Sequence, residues 1–568
     1  SLHWRKRDWL LMLGVTLVYA VVALTNLGSM KAPQNPWVSS TRNEQVIIDL
    51  GEHHDDVTML YFCQVSYSNF SVAVSEDGKS WSDDYIADMA EGECFQWKYL
   101  TPSYMGKDKY GNDKRFFYSQ PIKFSARYVR ITSQQIGLKM NEIIFHDANG
   151  DRIPATVIAQ LNVMEESTLY SDANNIFDEQ DTLEGLPSWW NSTYFDEIYH
   201  ARTAYEHLHG TAPYETSHPP LGKVIMSLGI AIFGMVPFGW RVMGALAGIL
   251  MLPAMYLLGK QLTKKSSFAF AAALMLALDC QHFTQTRIAT IDSYPVLFIL
   301  FSWLFMLRFM QRDIVRLPLK KLLPDLALSG LFMGLGIASK WIGVYSGAGL
   351  AVAFFWTIFR HMRMAATSAH LLKTDKSLSD EDRKILTLRD QTTMKRVLVI
   401  CLWCLLFFVA IPLAIYLLAY IPYFAYAHFD NLKDYLTAVW NAQLSMFSYH
   451  SKPGLGMDHP FYSPWYEWIF NQRPMYYASP TYVNTPGWSY AIWCFGNPAI
   501  WSAALVGFAY TVFMWAKRHR YTLRKDGETL HWTAADWDVT MPFLLLSALS
   551  QFLPWVLVPR GTYIYHYF

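Results

Sequence analysis

The sequence carries few charged residues and almost no excess of either sign. Of its 568 residues only 16% are charged, and the formal net charge is +1. Such a chain has no overall field that would attract nucleic acid, so we expect no nucleic-acid partner. Cysteine is also scarce: the six residues show no zinc-ligand spacing, and Cys401 and Cys404 lie in an apolar run, where thiols are usually just buried. We therefore predict no metal site and no cofactor.

Apolar residues, by contrast, make up 52% of the chain and are concentrated in long runs. A helix that crosses a bilayer needs about 20 mostly apolar residues. Nine runs approach this length and predict a polytopic α-helical membrane protein. They are Trp9 to Leu27, Pro237 to Leu258, Phe268 to Leu278, Ser293 to Met310, Pro324 to Ser339, Ile342 to Phe359, Val397 to Tyr420, Ile492 to Trp515, and Met541 to Val558.

Basic residues flank these runs and predict their orientation, because cytoplasmic loops of membrane proteins are enriched in lysine and arginine. The clusters are Arg5, Lys6 and Arg7; Lys260, Lys264 and Lys265; Arg312, Lys320 and Lys321; Arg360 through Arg396; and Lys517 through Lys525. With nine spans, all of them fall on one side of the membrane. The regions then predicted to lie outside the cytoplasm are Gly28 to about Val236, Asp279 to Asp292, and Ile421 to about Tyr490. Since the sequence stops at Phe568, just after a span, we also expect further C-terminal helices.

One stretch of the first outer region, from about Asn43 to Val157, is polar and alternates like β-strands. Its candidate strands predict a β-sandwich, and they are Gln45 to Leu50, Phe70 to Ser75, Ile122 to Thr132, and Glu142 to His146. The ordered segments VIIDLG, VAVSEDGKSW, ARYVRI and MNEIIFHD resemble the discoidin-like jelly-roll domain. The resemblance implies either a sugar- or lipid-binding domain or a spacer. Cys63 and Cys94 fall in this insert, where they could form a disulfide or remain two buried thiols.

The first candidate for chemistry is the pair of carboxylates Asp196 and Glu197, within WWNSTYFDEIYHARTAYEHL. Attaching a sugar to a hydroxyl group requires a base that takes the hydroxyl proton, and a carboxylate at the membrane surface can do this. Adjacent acids alone are weak evidence, because a solvated helix face or an N-cap explains most such pairs. The motifs that accompany the pair favour a catalytic role for it.

Six motifs follow the acid pair in order. They are HPPLGK from His218, FGWRVMGALAGILMLPAMYLLGKQLTKK, LALDCQHFTQTRIATIDS, SKWIG, HPFYSPWYEWIFNQRP, and PRGTYIYHYF from Pro559. Together they resemble the protein O-mannosyltransferase family, particularly its bacterial members, over nearly the whole chain apart from the sandwich. Because the sandwich interrupts the resemblance without replacing any motif, we expect transfer to a small peptide to survive its deletion.

The resemblance implies a C-type glycosyltransferase fold, a polyprenyl-phosphate-mannose donor held among the membrane lipids, and Ser or Thr residues of exported proteins as acceptors. It implies that Asp196 is the base, with Glu197 beside it, and that Arg287 contacts the donor phosphate. The planar guanidinium of arginine matches phosphate oxygens and stays charged near a membrane. Lys340 and Arg560 match motif positions and are further candidates for the phosphate.

Other motif residues are candidates for lining the substrate site. They are His218, Lys223, Asp292, Trp465 and His566. The sequence departs from the family pattern just before HPP, because many relatives carry an acid two positions earlier, whereas Thr216 stands there. Eukaryotic relatives also carry a β-trefoil domain in the later outer loop, which is short here.

We divide the chain into a first transmembrane helix (1–30), a discoidin-like insert (43–157) and a glycosyltransferase core (185–568). The predicted function is inverting transfer of mannose to Ser or Thr hydroxyls of exported proteins, at the outer face of a bacterial plasma membrane. Two alternatives remain: the same donor chemistry on a lipid or cell-wall glycan acceptor, or a non-enzymatic sugar-binding receptor or transporter. A transporter would carry charged residues at mid-membrane, whereas most of them here cluster at span ends and in loops.

Overall fold

The computed structural model describes residues 4–64, 69–88, 94–107, 113–117, 120–479, 490–517, 523–526, 529–532 and 538–568. Within these ranges, a set of membrane helices carries a β domain that is inserted after the first helix. The helices form where the apolar runs of the sequence lie.

In chain order the helices are α1 (Lys6–Leu24), α2 (Glu197–His209), α3 (Leu221–Phe233), α4 (Pro237–Thr263), α5 (Ser266–Ala277), α6 (Cys280–Thr286), α7 (Ser293–Met310), α8 (Leu319–Ser339), α9 (Ile342–Thr374), α10 (Asp380–Leu405), α11 (Ile411–Tyr423), α12 (Leu432–His450), α13 (Trp465–Trp468), α14 (Pro498–Ala516) and α15 (Thr540–Phe552). A π-helical segment, Leu406–Ala410, joins α10 to α11 into one continuous helix. Short 3-10 helices lie at Ala173–Phe177, Gln180–Thr182, Leu553–Leu557 and Ile564–Tyr567.

Among the described residues, 8 helices are long and apolar enough to cross a membrane. They are α1, α4, α7, α8, α9, the continuous α10–α11 helix, α14, and α15 with the 3-10 turn that follows it. These helices confirm the prediction of a polytopic membrane protein and match all but one of the predicted spans. The remaining prediction, Phe268 to Leu278, falls on α5, whose 12 residues are too few to cross a bilayer alone. The chain continues back along α4 through α6, from Ala269 beside Gly259 to Thr286 beside Gly248. The two helices together keep the α6–α7 loop on the side that the basic clusters predict.

The predicted span from Ile492 to Trp515 begins too early. Ile492–Cys494 form strand β13, which pairs with strand β12 (Met475–Ala478). The helix α14 starts only after Asn497, whose side chain accepts hydrogen bonds from the N–H groups of Ala499 and Ile500. Of the predicted basic cluster from Lys517 to Lys525, residues 518–522 lie outside the described residues.

Small residues let the helices that carry the site approach one another closely. A Cβ atom added to Gly248 of α4 would lie 2.6 Å from the Thr286 side chain at the end of α6. One added to Gly222 of α3 would lie 3.1 Å from the Ile291 side chain. Larger residues at either position would push the α6–α7 loop away, so this loop is held against both α3 and α4.

The β domain consists of β1 (Trp37–Val38), β2 (Gln45–Cys63), β3 (Asn69–Ser75), β4 (Tyr85–Asp88), β5 (Gln96–Tyr99), β6 (Ser103–Lys107), β7 (Asp113–Phe117), β8 (Phe124–Ser133), β9 (Lys139–His146), β10 (Arg152–Ile153) and β11 (Thr156–Leu161). The first half of the long strand β2 pairs with β8 and β11, and its second half pairs with β5 and β9. The remaining described strands, β14 (Leu523–Asp526) and β15 (Thr529–Trp532), form a separate hairpin.

The four predicted strands coincide with β2, β3, β8 and β9, and the expected β domain is confirmed. It is wider than predicted, because β1 precedes Asn43 and β11 continues past Val157 to Leu161. Its likeness to discoidin-like domains stays a prediction. No disulfide joins Cys63 to Cys94, and both side chains are buried.

The β domain is not separated from the membrane helices by solvent. Leu60, Phe62 and Trp97 belong to the same buried apolar cluster as Ala201 and Ala204 of α2. Burial of apolar surface stabilises an interface by roughly 25 cal/mol per Å². The domain is therefore packed onto the helix whose N-terminus carries the predicted acid pair.

Candidate active site

The N-terminus of α2 presents a carboxylate that is not bonded to any described residue. Asp196 is the N-cap residue of this helix, but its side chain makes no capping hydrogen bond, and no described residue forms an ion pair or hydrogen bond with its carboxylate. Burial raises the pKa of Asp196 to about 7, while the negative charge of Asp292 adds to the rise and Lys340 opposes it. The carboxylate is therefore free to accept a proton near neutral pH.

The backbone before Asp196 has an unusual conformation. Phe195 has a φ angle of 49°, in the left-handed region that residues other than glycine rarely adopt. Its ring centroid lies 4.3 Å from that of Tyr477 and 5.9 Å from that of Tyr565. A residue in this region costs on the order of 1–3 kcal/mol and persists where surrounding contacts impose it.

Glu197, in contrast, is fully buried and fully engaged. Its carboxylate accepts hydrogen bonds of 2.7 and 2.8 Å from Nε and Nη2 of Arg241 in α4, and one of 2.9 Å from the backbone N–H of Ala289. Arg241 also donates to the carbonyl oxygens of Leu27 and Ser192. This bidentate pair joins α2, α4 and the α6–α7 loop. Glu197 is placed to hold the helix rather than to accept a proton.

A second buried ion pair acts on Asp196 through its charges. Lys340 Nζ, at the end of α8, lies 2.5 Å from Oδ1 of Asp292. The other oxygen of Asp292 accepts a hydrogen bond of 3.2 Å from the Gln285 amide, which in turn accepts one from the Tyr477 hydroxyl. Burial acts to raise the pKa of Asp292, but Lys340 holds it below its usual value. The pair thus places a positive and a negative group beside the candidate base.

The HPPLGK turn is organised around Glu215, which is not among the residues predicted from the sequence. Its carboxylate pairs with the Lys223 ammonium, lies 3.0 Å from Nδ1 of His218 and accepts a hydrogen bond from Ser217. Thr216 carries no charge, as noted, but Glu215 immediately before it supplies the charge partner. Lys223 is wholly buried and also donates to backbone carbonyls of the turn. Lys223 and His218 therefore fix the turn that precedes α3.

The same turn meets α12 of the later outer loop. Nε2 of His450 lies 2.6 Å from the carbonyl oxygen of Ser217. The His450 ring centroid is 5.2 Å from that of His218 and 6.0 Å from that of Trp341. Two outer regions that are far apart in sequence therefore meet at one place.

Arg560 adds a positive charge, besides that of Lys340, to the region around Asp196 and His450. It is half-buried, and no described residue forms an ion pair or hydrogen bond with its guanidinium. Burial lowers the pKa of His566 well below its usual value, and the charges of Lys340 and Arg560 lower it further. Arg560 and Asp196 both act on the hydroxyl of Tyr563. The structure thus brings together Asp196, Asp292, Lys340, Arg560, His218 and His566 from the predicted set.

Arg287 faces a different part of the molecule. Its Nη2 donates hydrogen bonds of 2.7 and 2.6 Å to the carbonyl oxygens of Thr25 and Asn26, at the end of α1. Its guanidinium carbon also lies 4.6 Å from the centroid of the Phe283 ring. These contacts are those of a residue that closes a helix end.

Trp465 likewise packs away from the charged groups. It begins α13, and its ring centroid lies 5.6 Å from that of Phe552 in α15. The more deeply buried Trp468 of the same helix is closer to the site, with its centroid 6.3 Å from that of His566. Trp465 therefore packs against α15 rather than against the charged groups.

Two family models match consecutive parts of the chain. The model for dolichyl-phosphate-mannose-protein mannosyltransferase matches residues 232–432, and that for the C-terminal four TMM region of protein-O-mannosyltransferase matches residues 435–568. The chain belongs to the protein O-mannosyltransferase family. Membership confirms the predicted membrane-bound glycosyltransferase. Both the acid pair and the β domain lie before the first matched residue.

Curated relatives of this mannosyltransferase family occur in Mycobacterium tuberculosis and Corynebacterium glutamicum. The polyprenol-phosphate-mannose–protein mannosyltransferase of Mycobacterium tuberculosis (strain CDC 1551 / Oshkosh) is 25% identical over 421 residues, which cover 66% of this chain and 76% of the relative. That of Corynebacterium glutamicum is 26% identical over 390 residues, covering 59% of this chain and 68% of the relative. The Saccharomyces cerevisiae protein O-mannosyltransferase Pmt1–Pmt2 complex bound to the sugar donor is 11% identical, covers 66% of this chain and 79% of its own, and has a TM-score of 0.50. This likeness confirms the C-type glycosyltransferase fold.

Several residues that build this mannosyltransferase site were not predicted from the sequence. Arg241 lies inside the quoted FGWRV motif, but nothing in the motif shows that it pairs with Glu197. Glu215 could have been found by allowing the acid one position of freedom before HPP. Gln285 and Tyr477 come together only through the tertiary fold.

Within the described part of the chain, one group of side chains stands close enough to hold a cation. Glu142, Asp178 and Glu179 bring their oxygens within 4.8 Å of one another. The group lies in the β domain and the segment that follows it, and its oxygens already accept hydrogen bonds from Gln34, Asn35 and backbone N–H groups. It is distinct from the candidate active site.

Proposed function

We propose that this chain transfers mannose from a polyprenyl-phosphate-mannose donor to Ser or Thr hydroxyls of exported proteins, with inversion at the anomeric carbon. The observation that carries the proposal is the Asp196 carboxylate at the start of α2, which no described residue pairs with. Lys340 acts on its pKa, and Arg560 acts together with Asp196 on the Tyr563 hydroxyl. The relatives named for polyprenol-phosphate-mannose and for protein acceptors support the donor and the acceptor class.

Asp196 serves as the general base of a single displacement. The acceptor hydroxyl oxygen attacks the anomeric carbon and its proton passes to Asp196, while the bond between that carbon and the phosphate oxygen breaks. The departing polyprenyl phosphate keeps the electron pair and is already anionic, so it needs little help from an acid. One displacement inverts the configuration of the sugar, unlike the paired-carboxylate scheme that retains it.

The phosphate of the donor is best matched by Arg560. Its guanidinium is not bonded to any described residue and can offer a planar pair of donors. Lys340 is already paired with Asp292, and Arg287 with carbonyls of the α1 end. We therefore place the phosphate at Arg560, with Lys340 contributing its charge.

The reaction takes place at the outer face of the membrane. The basic clusters predict that the segment before α2, the α6–α7 loop and the loop that contains α12 all lie outside the cytoplasm. Those three regions supply Asp196, Asp292 and His450. A site at this position can reach a lipid-linked donor and an exported acceptor together.

The deciding experiment uses purified enzyme with polyprenyl-phosphate-mannose and a Ser/Thr peptide. Asp196→Asn keeps the shape of the side chain but removes the proton acceptor, and loss of a general base lowers a rate by roughly 10²- to 10⁴-fold. We expect that loss of turnover with unchanged donor binding and an unchanged melting temperature. The peptide product of the parent enzyme should carry mannose of inverted linkage.

Glu197→Gln is the matched control in the same assay. It leaves Arg241 buried without its ion-pair partner, and breaking a buried pair costs about 3–5 kcal/mol. We therefore expect a lower melting temperature, a change that Asp196→Asn should not produce. Near-normal turnover of Asp196→Asn would remove the base assignment. Transfer to a lipid or glycan acceptor but not to the peptide would favour the alternative acceptor class.

A further inference from the structure

A strand of the β domain is hydrogen-bonded to the segment that leads to Asp196. The backbone N–H of Trp97 donates to the Ser192 hydroxyl at 3.0 Å, and the Gln96 amide donates to the Thr193 carbonyl oxygen at 3.0 Å. The backbone N–H of Thr193 donates to the carbonyl oxygen of Phe95 at 3.1 Å. The Thr193 hydroxyl donates to the carbonyl oxygen of Cys94 at 2.9 Å. Residues 192 and 193 are therefore tied to residues 94–97, at the start of β5, by one backbone–backbone bond and three bonds that involve side chains.

The apolar side of this contact reaches α2 itself. Phe95 is only 2% exposed, and its ring centroid lies 5.6 Å from that of Tyr205 in α2. Its φ angle of 56° lies in the left-handed region. This conformation turns the chain at the start of β5, and the Phe95 N–H group still donates to the carbonyl oxygen of Cys63 in β2. The ring is thus held by the β domain on one side and by the helix on the other.

The same segment is fixed from the opposite side by the membrane helices. The carbonyl oxygen of Ser192 accepts a hydrogen bond of 3.0 Å from Arg241. The backbone N–H of Tyr194 donates to Glu197 at 3.2 Å. Residues 192–197 are therefore clamped between β5 and the Arg241–Glu197 pair. The Asp196 carboxylate has no bond of its own to any described residue, so its position depends on this backbone.

We propose that the β domain positions the catalytic base: β5, through Thr193 and the Phe95 ring, holds the backbone segment that presents Asp196. Thr193 and Phe95 are then positioning residues, since neither touches the reacting atoms. The proposal rests on the proposed role of Asp196. It also reverses the expectation from sequence that peptide transfer survives removal of the insert.

The first test compares two substitutions of Thr193. Thr193→Val keeps the shape but loses the hydroxyl that donates to Cys94, whereas Thr193→Ser keeps it. A small displacement of a catalytic group lowers turnover by roughly 10- to 100-fold. We expect kcat to fall in this range for Thr193→Val, with donor binding unchanged, and to recover for Thr193→Ser. The matched control is Thr182→Val, which removes a buried hydroxyl that donates to the Glu179 carbonyl oxygen, away from β5.

A pH profile separates positioning from general weakening of the fold. If the segment loosens, water reaches Asp196 and its carboxylate becomes easier to ionise. The acidic limb of kcat/KM should then move to lower pH for Thr193→Val and stay in place for Thr182→Val. An unchanged kcat for Thr193→Val, or an equal loss for Thr193→Ser, would overturn the proposal.

The second test uses the aromatic contact. Phe95→Leu shortens the ring that reaches Tyr205, and Phe70→Leu makes the same change in the core of the β domain, where Phe70 is fully buried. We expect both variants to be less stable but only Phe95→Leu to lose turnover. Equal turnover of the two would overturn the proposal. Asp196→Asn, measured alongside, separates the failure of the base assignment from the failure of the positioning role. If Asp196→Asn stays active, the base assignment is wrong. If it is inactive while Thr193→Val and Phe95→Leu have normal turnover, only the positioning role is wrong.

Discussion

Asp196 lies between charges of opposite sign, so its ionisation can be moved in either direction. Its pKa of about 7 is raised by burial and by Asp292 and is opposed by Lys340. A base must be ionised, so activity should rise as the pH increases through this value. Asp292→Asn removes the negative charge and leaves Lys340 unopposed, and both effects favour the carboxylate. We expect the acidic limb of kcat/KM to move to lower pH, and Lys340→Met to move it to higher pH.

The other titratable groups near Asp196 provide the controls for this pH profile. Glu215 also raises the pKa of Asp196. The negative charge of Asp196 in turn raises the pKa of the Tyr563 and Tyr565 hydroxyls. Burial raises the pKa of both tyrosines, so they are neutral throughout the range. Tyr563→Phe should therefore leave the limb where it is. A limb that moves the same way in Asp292→Asn and Lys340→Met would mean that another group titrates.

At the scale of elements, Arg287 and Arg560 have different surroundings and therefore different expected roles. Arg287 donates to two carbonyl oxygens at the end of α1, whereas no described residue bonds the guanidinium of Arg560. Hydrogen bonds from charged groups contribute about 1.5–3 kcal/mol each. We expect Arg287→Ala to lower the melting temperature with little effect on donor affinity. We expect Arg560→Ala to weaken donor binding by roughly 10- to 100-fold, which corresponds to the loss of one such hydrogen bond to the phosphate. Its melting temperature should not change.

Titration of each variant with polyprenyl-phosphate-mannose, beside a thermal melt, checks this prediction. Arg560→Lys is the matched control, because it keeps the charge and loses the planar fork. Its donor affinity should lie between those of the parent and Arg560→Ala. Weaker binding in Arg287→Ala, with normal binding in Arg560→Ala, would restore the assignment made from the sequence.

The membrane helices could be predicted because a span needs only a local property, a long apolar run. The same rule failed where the run continued into another structure, as at Ile492–Cys494, whose apolar residues pair with β12. The rule also missed that the crossing begun by α5 continues through α6. Apolar composition shows where a segment is buried, but not which element buries it.

At the scale of the whole molecule, the motifs located the site but not its connections. Asp196, Lys340 and Arg560 were found from motif positions. The bond from Thr193 to Cys94 joins residues that are 99 positions apart, and no local pattern marks such a pair. Glu197 illustrates the same limit: Arg241 binds its carboxylate, whereas no described residue bonds that of its neighbour Asp196. Adjacent, chemically similar side chains therefore have different surroundings that only the fold decides.

The orientation of the molecule in the membrane is open to a direct test. The basic clusters predict that the β domain is outside the cytoplasm and that the α9–α10 connection is inside. Ser80 is exposed on the β domain, and Ser377 lies exposed between α9 and α10. We expect Ser80→Cys to react with a membrane-impermeant maleimide in intact cells, and Ser377→Cys to react only after permeabilisation.

The parent protein must be labelled alongside as the background, because Cys280, Cys401 and Cys404 are only partly buried, whereas Cys63, Cys94 and Cys494 are buried. Labelling of Ser377→Cys in intact cells, with Ser80→Cys protected, would invert the topology. The Asp196 site would then face the cytoplasm, and an exported protein could be modified only before it crosses the membrane. The observed side of labelling thus decides whether acceptors meet the site before or after export.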